Sequence, residues 1–104
     1  MGEYVPSPRQ RILAKPKQEL QYPPQYRVLL HNDHYTTMDF VVLILESVFR
    51  KAHEEAVRIM LNVHQKGIGI CGTYPHEIAE TKVATVHKLA QHKGFPLKCS
   101  MEPE

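Results

Sequence analysis

The sequence has no tryptophan, only two cysteines and no long apolar run. A membrane-spanning helix needs roughly 18 consecutive apolar residues, and no stretch approaches that length. The first residues, MGEYVPSPRQ, lack the charged and apolar regions of a secretory signal, so a cytoplasmic location away from membranes is the default expectation. Cys71 and Cys99 stand far apart among apolar neighbours, without the CxxC spacing of a zinc site. Both are expected to be buried free thiols. Charge of one sign is scarce too: the formal net charge is +2, and the basic residues are scattered rather than gathered with aromatics. That argues against nucleic acid as a partner.

What is present is a chain of 104 residues with 42% apolar content, enough for one globular domain with a small core. Most of the eight prolines fall before residue 25. There they remove backbone donors and bias their neighbours towards extended conformations. Residues 1–23 are therefore expected to form a flexible arm, and residues 24–104 the folded domain.

Within that domain YRVLL (26–30) predicts a strand, closed by the turn-prone His31-Asn32-Asp33. Thr36 and Asp39 have capping-box spacing, and Phe40, Val41, Ile44, Leu45 and Val48 recur at helical intervals, which predicts a helix over 37–50. A second helix is expected from His53 to Gly67, with Val57, Met60, Leu61 and His64 along one face. IGICGTY predicts a strand with small residues for close packing. Pro75 suits the first turn of a third helix, striped by Ile78, Val83, Val86 and Ala90 and ending near Gly94. FPLKCSM predicts the last strand. The order β-α-α-β-α-β implies an α+β fold, three helices packed on one face of a small antiparallel three-stranded sheet.

The polar stretch HNDHYTTM, between the first strand and the first helix, has an ordinary explanation in turn and capping propensities. His64 is harder to place, because a ring on an apolar stripe must find a partner or lie near water. No serine or cysteine stands in a nucleophile's context beside it, so enzymatic activity is not expected. The pair His31 and His34 is weak grounds for a metal site, since the helical HExxH context is absent. No cofactor is expected.

Three segments together, VLLHNDHYTTMDFVV, AVRIMLNVHQKGIGICGTYPHEIAETKVATVHKLA and FPLKCSMEPE, resemble the ClpS family, adaptors of the bacterial and plastid Clp protease. The resemblance spans about residues 24–104. It implies a non-enzymatic adaptor, for which a monomer is the default expectation. Such a protein binds the N-terminal residue of degradation substrates, chiefly Leu, Phe, Tyr or Trp, and delivers them to the N-terminal domain of an AAA+ unfoldase of the ClpA or ClpC type. It also implies site residues. Asn32, Asp33 and His64, with His34 beside them, would hold the α-amino group. Thr36, Met38, Val41, Met60, Val63 and Leu97 would line the side-chain pocket, Met38 acting as the gate against β-branched residues. Glu77, Glu80 and Lys82 would contact the unfoldase, and the Pro-rich arm would engage it during handover. The N-terminal recognition domain of a ubiquitin ligase is a related alternative, but such domains sit in very long chains. The missing transit peptide favours a bacterial cytoplasm over a plastid.

Two departures from the family pattern matter. Thr37 stands where the family often has proline, which loosens the loop but keeps a capping hydroxyl. His34 stands where the family commonly has a second acid. Losing that negative charge is expected to weaken or narrow recognition, or to abolish it and leave an adaptor with altered specificity. A neutral His34 could instead accept a hydrogen bond and make binding sensitive to pH. Restoring the acid with His34→Asp is expected to tighten binding of a Phe-initiated peptide severalfold in an anisotropy titration at neutral pH. Unchanged or weaker binding would count against the charge argument.

Overall fold

The computed structural model describes residues 22–104. The arm expected over residues 1–23 thus lies almost wholly outside the described residues. The elements are β1 (Gln25–His31), α1 (Met38–Ser47), α2 (His53–Lys66), β2 (Ile68–Pro75), α3 (His76–Lys93) and β3 (Lys98–Pro103), in the order expected. The strands form one antiparallel sheet ordered β2-β1-β3. β1 is the central strand and carries the longest buried run, Val28, Leu29 and Leu30. Val28 and Leu30 are fully buried beneath the helices, joined by Cys71 and Cys99 from the flanking strands. The other face is polar at its margins, with an Arg27–Glu102 ion pair at 3.1 Å and a His31 Nε2 to Ser100 Oγ hydrogen bond at 2.6 Å. The register shifts between Val28 and Leu29, so Cys71 is the extra residue of a bulge in β2. Both thiols are free. Burial pushes the Cys99 thiol up to about 12 and the Cys71 thiol higher still, leaving both inert as expected.

The stripe expected for α1 is the buried one: Phe40, Val41, Ile44, Leu45 and Val48 all enter the core. Its ends differ from expectation. The N-cap is Thr37, whose Oγ1 accepts from Phe40 N at 3.1 Å, because the hydroxyl and N–H of Thr36 are both bound to Asp33. The helix stops at Ser47 rather than Arg50, and Arg50 takes a left-handed φ of 56°. There Lys82 Nζ donates to the freed carbonyl of Val48 at 2.7 Å, and Lys51 N to Leu45 O at 3.0 Å.

The buried face of α2 is Ala56, Ile59 and Val63, about one residue's rotation from the expected stripe. The cause lies in β2. A Cβ on Gly69 would lie 2.6 Å from Val63 Cγ2 and 3.3 Å from Ile59 O, so this strand has no room for a side chain where the helix crosses it. Ile59 and Val63 settle onto the bare glycine, Leu61 turns to solvent, and Met60 and His64 are left on the flank. Gly67 ends the helix with φ 89°, its N–H donating to Val63 O at 2.9 Å.

Pro75 is the last residue of β2 and precedes α3 instead of opening it. The α3 stripe holds at Val86 and Ala90, which are buried, and at Val83, which packs against the core, but departs at its start. Ala79 is fully buried, whereas Ile78, expected in the core, is 48% exposed. At its C-terminus Gly94 N donates to Gln91 O and Phe95 N to Ala90 O, the two bonds of a Schellman motif. Phe95 therefore belongs to the turn, its ring tilted against that of Phe40 with centroids 4.9 Å apart, and the last strand starts only at Lys98.

Gly69→Ala is expected to lower unfolding free energy in urea by about 1–3 kcal/mol, because either Val63 or the helix backbone must move. Gln65→Ala, at an exposed position on the opposite side of α2, should be nearly neutral.

Candidate functional site

The loop between β1 and α1 is held by two sets of hydrogen bonds. Asn32 N donates to Gly67 O at 2.9 Å, which ties the end of β1 to the end of α2. Asp33 folds the rest of the loop around its carboxylate. Oδ1 accepts from Tyr35 N at 2.8 Å and Thr36 N at 2.6 Å, and Oδ2 accepts from Thr36 Oγ1 at 2.7 Å. Partial burial raises the Asp33 pKa, but the bonds from Thr36 and Tyr35, with nearby His34, outweigh it and hold the carboxyl below its ordinary value. Three of its roughly four lone-pair sites are occupied by the loop itself.

Between this loop and the two following helices lies a cavity of about 250 Å³. The loop contributes Asn32, Asp33, His34 and Thr36. Met38 and Val41 come from the first turns of α1, and Met60, Val63 and His64 from the second half of α2. Exposure grades across it. Asn32, His34 and His64 are exposed at the mouth, Met60 is half-buried, and Val41 and Val63 are buried at the base. Such a cavity offers hydrogen-bond acceptors at its mouth and apolar surface beneath. It suits a molecule with donors at one end and a bulky apolar body at the other.

Leu97, the remaining residue expected there, does not line the cavity; it is buried in the core. His31 is turned to Ser100 rather than to the cavity, and burial, then Lys98, lowers its pKa. The sequence pair His31 and His34 therefore does not converge. No cluster of three or more His, Cys, Asp or Glu suited to a metal ion occurs among the described residues. No described helix is long and apolar enough to cross a membrane.

A second groove, of about 600 Å³, lies at the other end of α1. Ser47, Val48 and Arg50 form one wall. The other is a stripe of α3 comprising Ile78, Lys82, Thr85 and Leu89, with Glu77 and Thr81 beside it. Two of the expected partner-contact residues, Glu77 and Lys82, are here. Glu80 is exposed outside the groove, its Oε1 3.9 Å from His76 Nδ1. Lys82 is partly committed inside the protein, since its Nζ also lies 5.5 Å from the Tyr74 ring centroid. Sequence reasoning missed Ile78 and Leu89 as surface residues. The signal was available, because 78, 82, 85 and 89 recur at helical spacing beside the true core stripe.

Comparison with known proteins accounts for the fold. Residues 21–100 match the family model for ClpS, the ATP-dependent Clp protease adaptor protein. The adapter protein ClpS of Desulfatibacillum aliphaticivorans is 59% identical over 93 residues, covering 89% of each chain. That of Oleidesulfovibrio alaskensis is 62% identical over 86 residues, covering 83% of each. Among solved structures, Agrobacterium tumefaciens ClpS2 bound to L-phenylalaninamide superposes with a TM-score of 0.77 at 37% identity, covering 80% of this chain and all of that one. On these matches, spanning nearly all of the described residues, the chain belongs to the ClpS family of Clp protease adaptor proteins.

Proposed function

We propose that the protein captures polypeptides by a free N-terminal α-amino group and a bulky apolar first side chain, Leu, Phe, Tyr or Trp, and hands them to a Clp unfoldase. The observation that carries this reading is the polarity gradient of the 250 Å³ cavity, with amide and imidazole groups at the mouth and Val41, Met60 and Val63 below. The bound molecule of the Agrobacterium relative supports it. Phenylalaninamide carries a free amine, an aromatic ring and an amide where the next peptide bond would begin.

Near neutral pH an α-amino group is mostly an ammonium with three donors, and burying it without partners costs several kcal/mol. Asn32, His34 and His64 present acceptors for it. Asp33, committed to Tyr35 and Thr36, acts chiefly by shaping the loop, and its charge adds to the attraction at short range. Acetylation removes the charge and leaves the acceptors mispaired. Burial of a Leu or Phe side chain against the apolar base contributes roughly 1.5–3 kcal/mol. Met38, at the first turn of α1 and partly exposed over the cavity, stands where a β-branch would collide, so Val and Ile are poor first residues.

The second groove supports contact with the N-terminal domain of a ClpA- or ClpC-type unfoldase. It shares no lining residue with the cavity, so both can be filled at once. Ile78 and Leu89 supply apolar area there, with Glu77 and Arg50 at the margin. On this reading the protein is a non-enzymatic monomer of the bacterial cytoplasm, and the arm over residues 1–23 serves handover. Because His34 lines the cavity in place of an acid, a second reading remains, an adaptor whose N-terminal specificity is altered or lost.

Fluorescence anisotropy separates the two. The first expects micromolar or tighter binding of Leu-, Phe-, Tyr- and Trp-initiated peptides. Ile-initiated and acetylated peptides should bind on the order of 100-fold more weakly, the cost of about 3 kcal/mol in mispaired or colliding groups. Equal binding across the panel would establish the second reading. For delivery, Ile78→Glu should abolish association with the unfoldase N-terminal domain while leaving peptide affinity within twofold. Deleting residues 1–22 should spare peptide binding yet slow degradation of a tagged substrate. Loss of peptide binding in Ile78→Glu would show that the two surfaces are not independent, and its loss after the deletion would show that the arm belongs to the folded site.

A further inference from the structure

The cavity contains one carboxylate, that of Asp33, and its oxygens are bound within the loop. The remaining polar groups at the mouth are one amide, Asn32, and two imidazoles, His34 from the loop and His64 from α2. We infer that His34 and His64 act as a pair of unprotonated acceptors for the substrate's ammonium, so that capture demands two neutral rings and is lost on mild acidification. This rests on the amine-binding reading above and adds a specificity role for His34.

The physical argument is one of charge. An imidazole accepts a hydrogen bond only through an unprotonated nitrogen; a protonated ring has donors alone. Facing an ammonium, a protonated ring loses an acceptor and adds repulsion at close range. A carboxylate at position 34 would keep its charge through the pH range in which histidine titrates, whereas histidine does not. Two rings therefore link binding to the loss of two protons.

The other titratable groups around the mouth do not change charge in the same range or do not face it. Asp33 has a lowered pKa and stays ionised, so the loop it organises persists as pH falls from 8 to 5.5. His31, on β1 just before the loop, is held neutral to lower pH by burial and Lys98, and is bonded to Ser100 on β3. From α1 the cavity receives only Met38 and Val41, and from α2 only Met60 and Val63 besides His64. Above about pH 8 the substrate amine itself loses its proton, which sets an upper limit to the favourable range.

The test is an anisotropy titration of a Phe-initiated peptide and its acetylated form at several pH values between about 8 and 5.5. It uses the full chain and the variants His34→Asn and His34→Asp, with ring-proton NMR of the histidines in the same samples. Each proton that must be lost contributes up to about tenfold in Kd per pH unit. The parent protein is expected to approach a slope of two on the acid side, and both variants a slope near one. In NMR, peptide binding should lower the titration midpoints of His34 and His64 together and leave His53 and His92 unmoved. A parent slope no steeper than that of His34→Asn, or an unmoved His34 midpoint, overturns the paired-imidazole role. Equal binding of free and acetylated peptide at pH 7.5 instead overturns the amine-binding reading beneath it.

Discussion

The carboxylate of Asp33 is the group on which the site depends. A six-residue connection from β1 to α1 has many ways to cross the gap, and two N–H groups and one hydroxyl converging on Asp33 leave it one. With Thr36 held there, the helix cap passes to Thr37, and Met38 and Val41 follow on the first turns facing the cavity. The bond from Asn32 N to Gly67 O then places the loop against the far end of α2, beside His64. The depressed pKa of Asp33 expresses the same fact, because the loop binds the ionised form better than the protonated one.

A close approach elsewhere sets the orientation of the other wall. Because Gly69 has no side chain, α2 lies against β2 through Ile59 and Val63, and that contact rotates Met60 and His64 towards the loop. The polar mouth thus depends on a glycine outside the cavity. A bulkier residue at position 69 would act on the site by turning or lifting the helix, without touching a ligand.

The sequence was most legible where one face of an element meets one partner. The α1 stripe, the central strand and both helix-ending glycines were readable because periodicity and left-handed preference are local properties. The stripe of α2 was misread by about one residue and that of α3 only at Ile78, because each helix carries two adjacent apolar rows and only packing decides which is core. In α3 the small Ala79 goes inside and the large Ile78 outside, the reverse of a ranking by hydrophobicity, since the helix lies across all three strands and needs close approach there. The Thr36–Asp39 cap failed for a similar reason: Asp33 competed for Thr36, and that competition is visible only once the loop is folded. The structure brings Asn32, Asp33, His34, Thr36, Met38, Val41, Met60, Val63 and His64 to one cavity, whereas Leu97 is buried in the core, a separation that no local pattern encodes.

Val41 and Val63 belong both to the core and to the base of the cavity, and this constrains how the cavity can respond to what it holds. A pocket walled by loops can widen at little cost, but moving either valine opens space beside Ile44, Leu45 and Ile59, where lost packing is charged against the stability of the whole domain. The base is therefore stiff while the mouth, built of exposed side chains, can adjust. On the proposed reading, discrimination of the first side chain by shape resides in the stiff base and in Met38. Charge recognition resides in the adjustable mouth, where His34 stands. Evolution can alter the second without unsettling the first, because His34 is exposed and contributes nothing to the core.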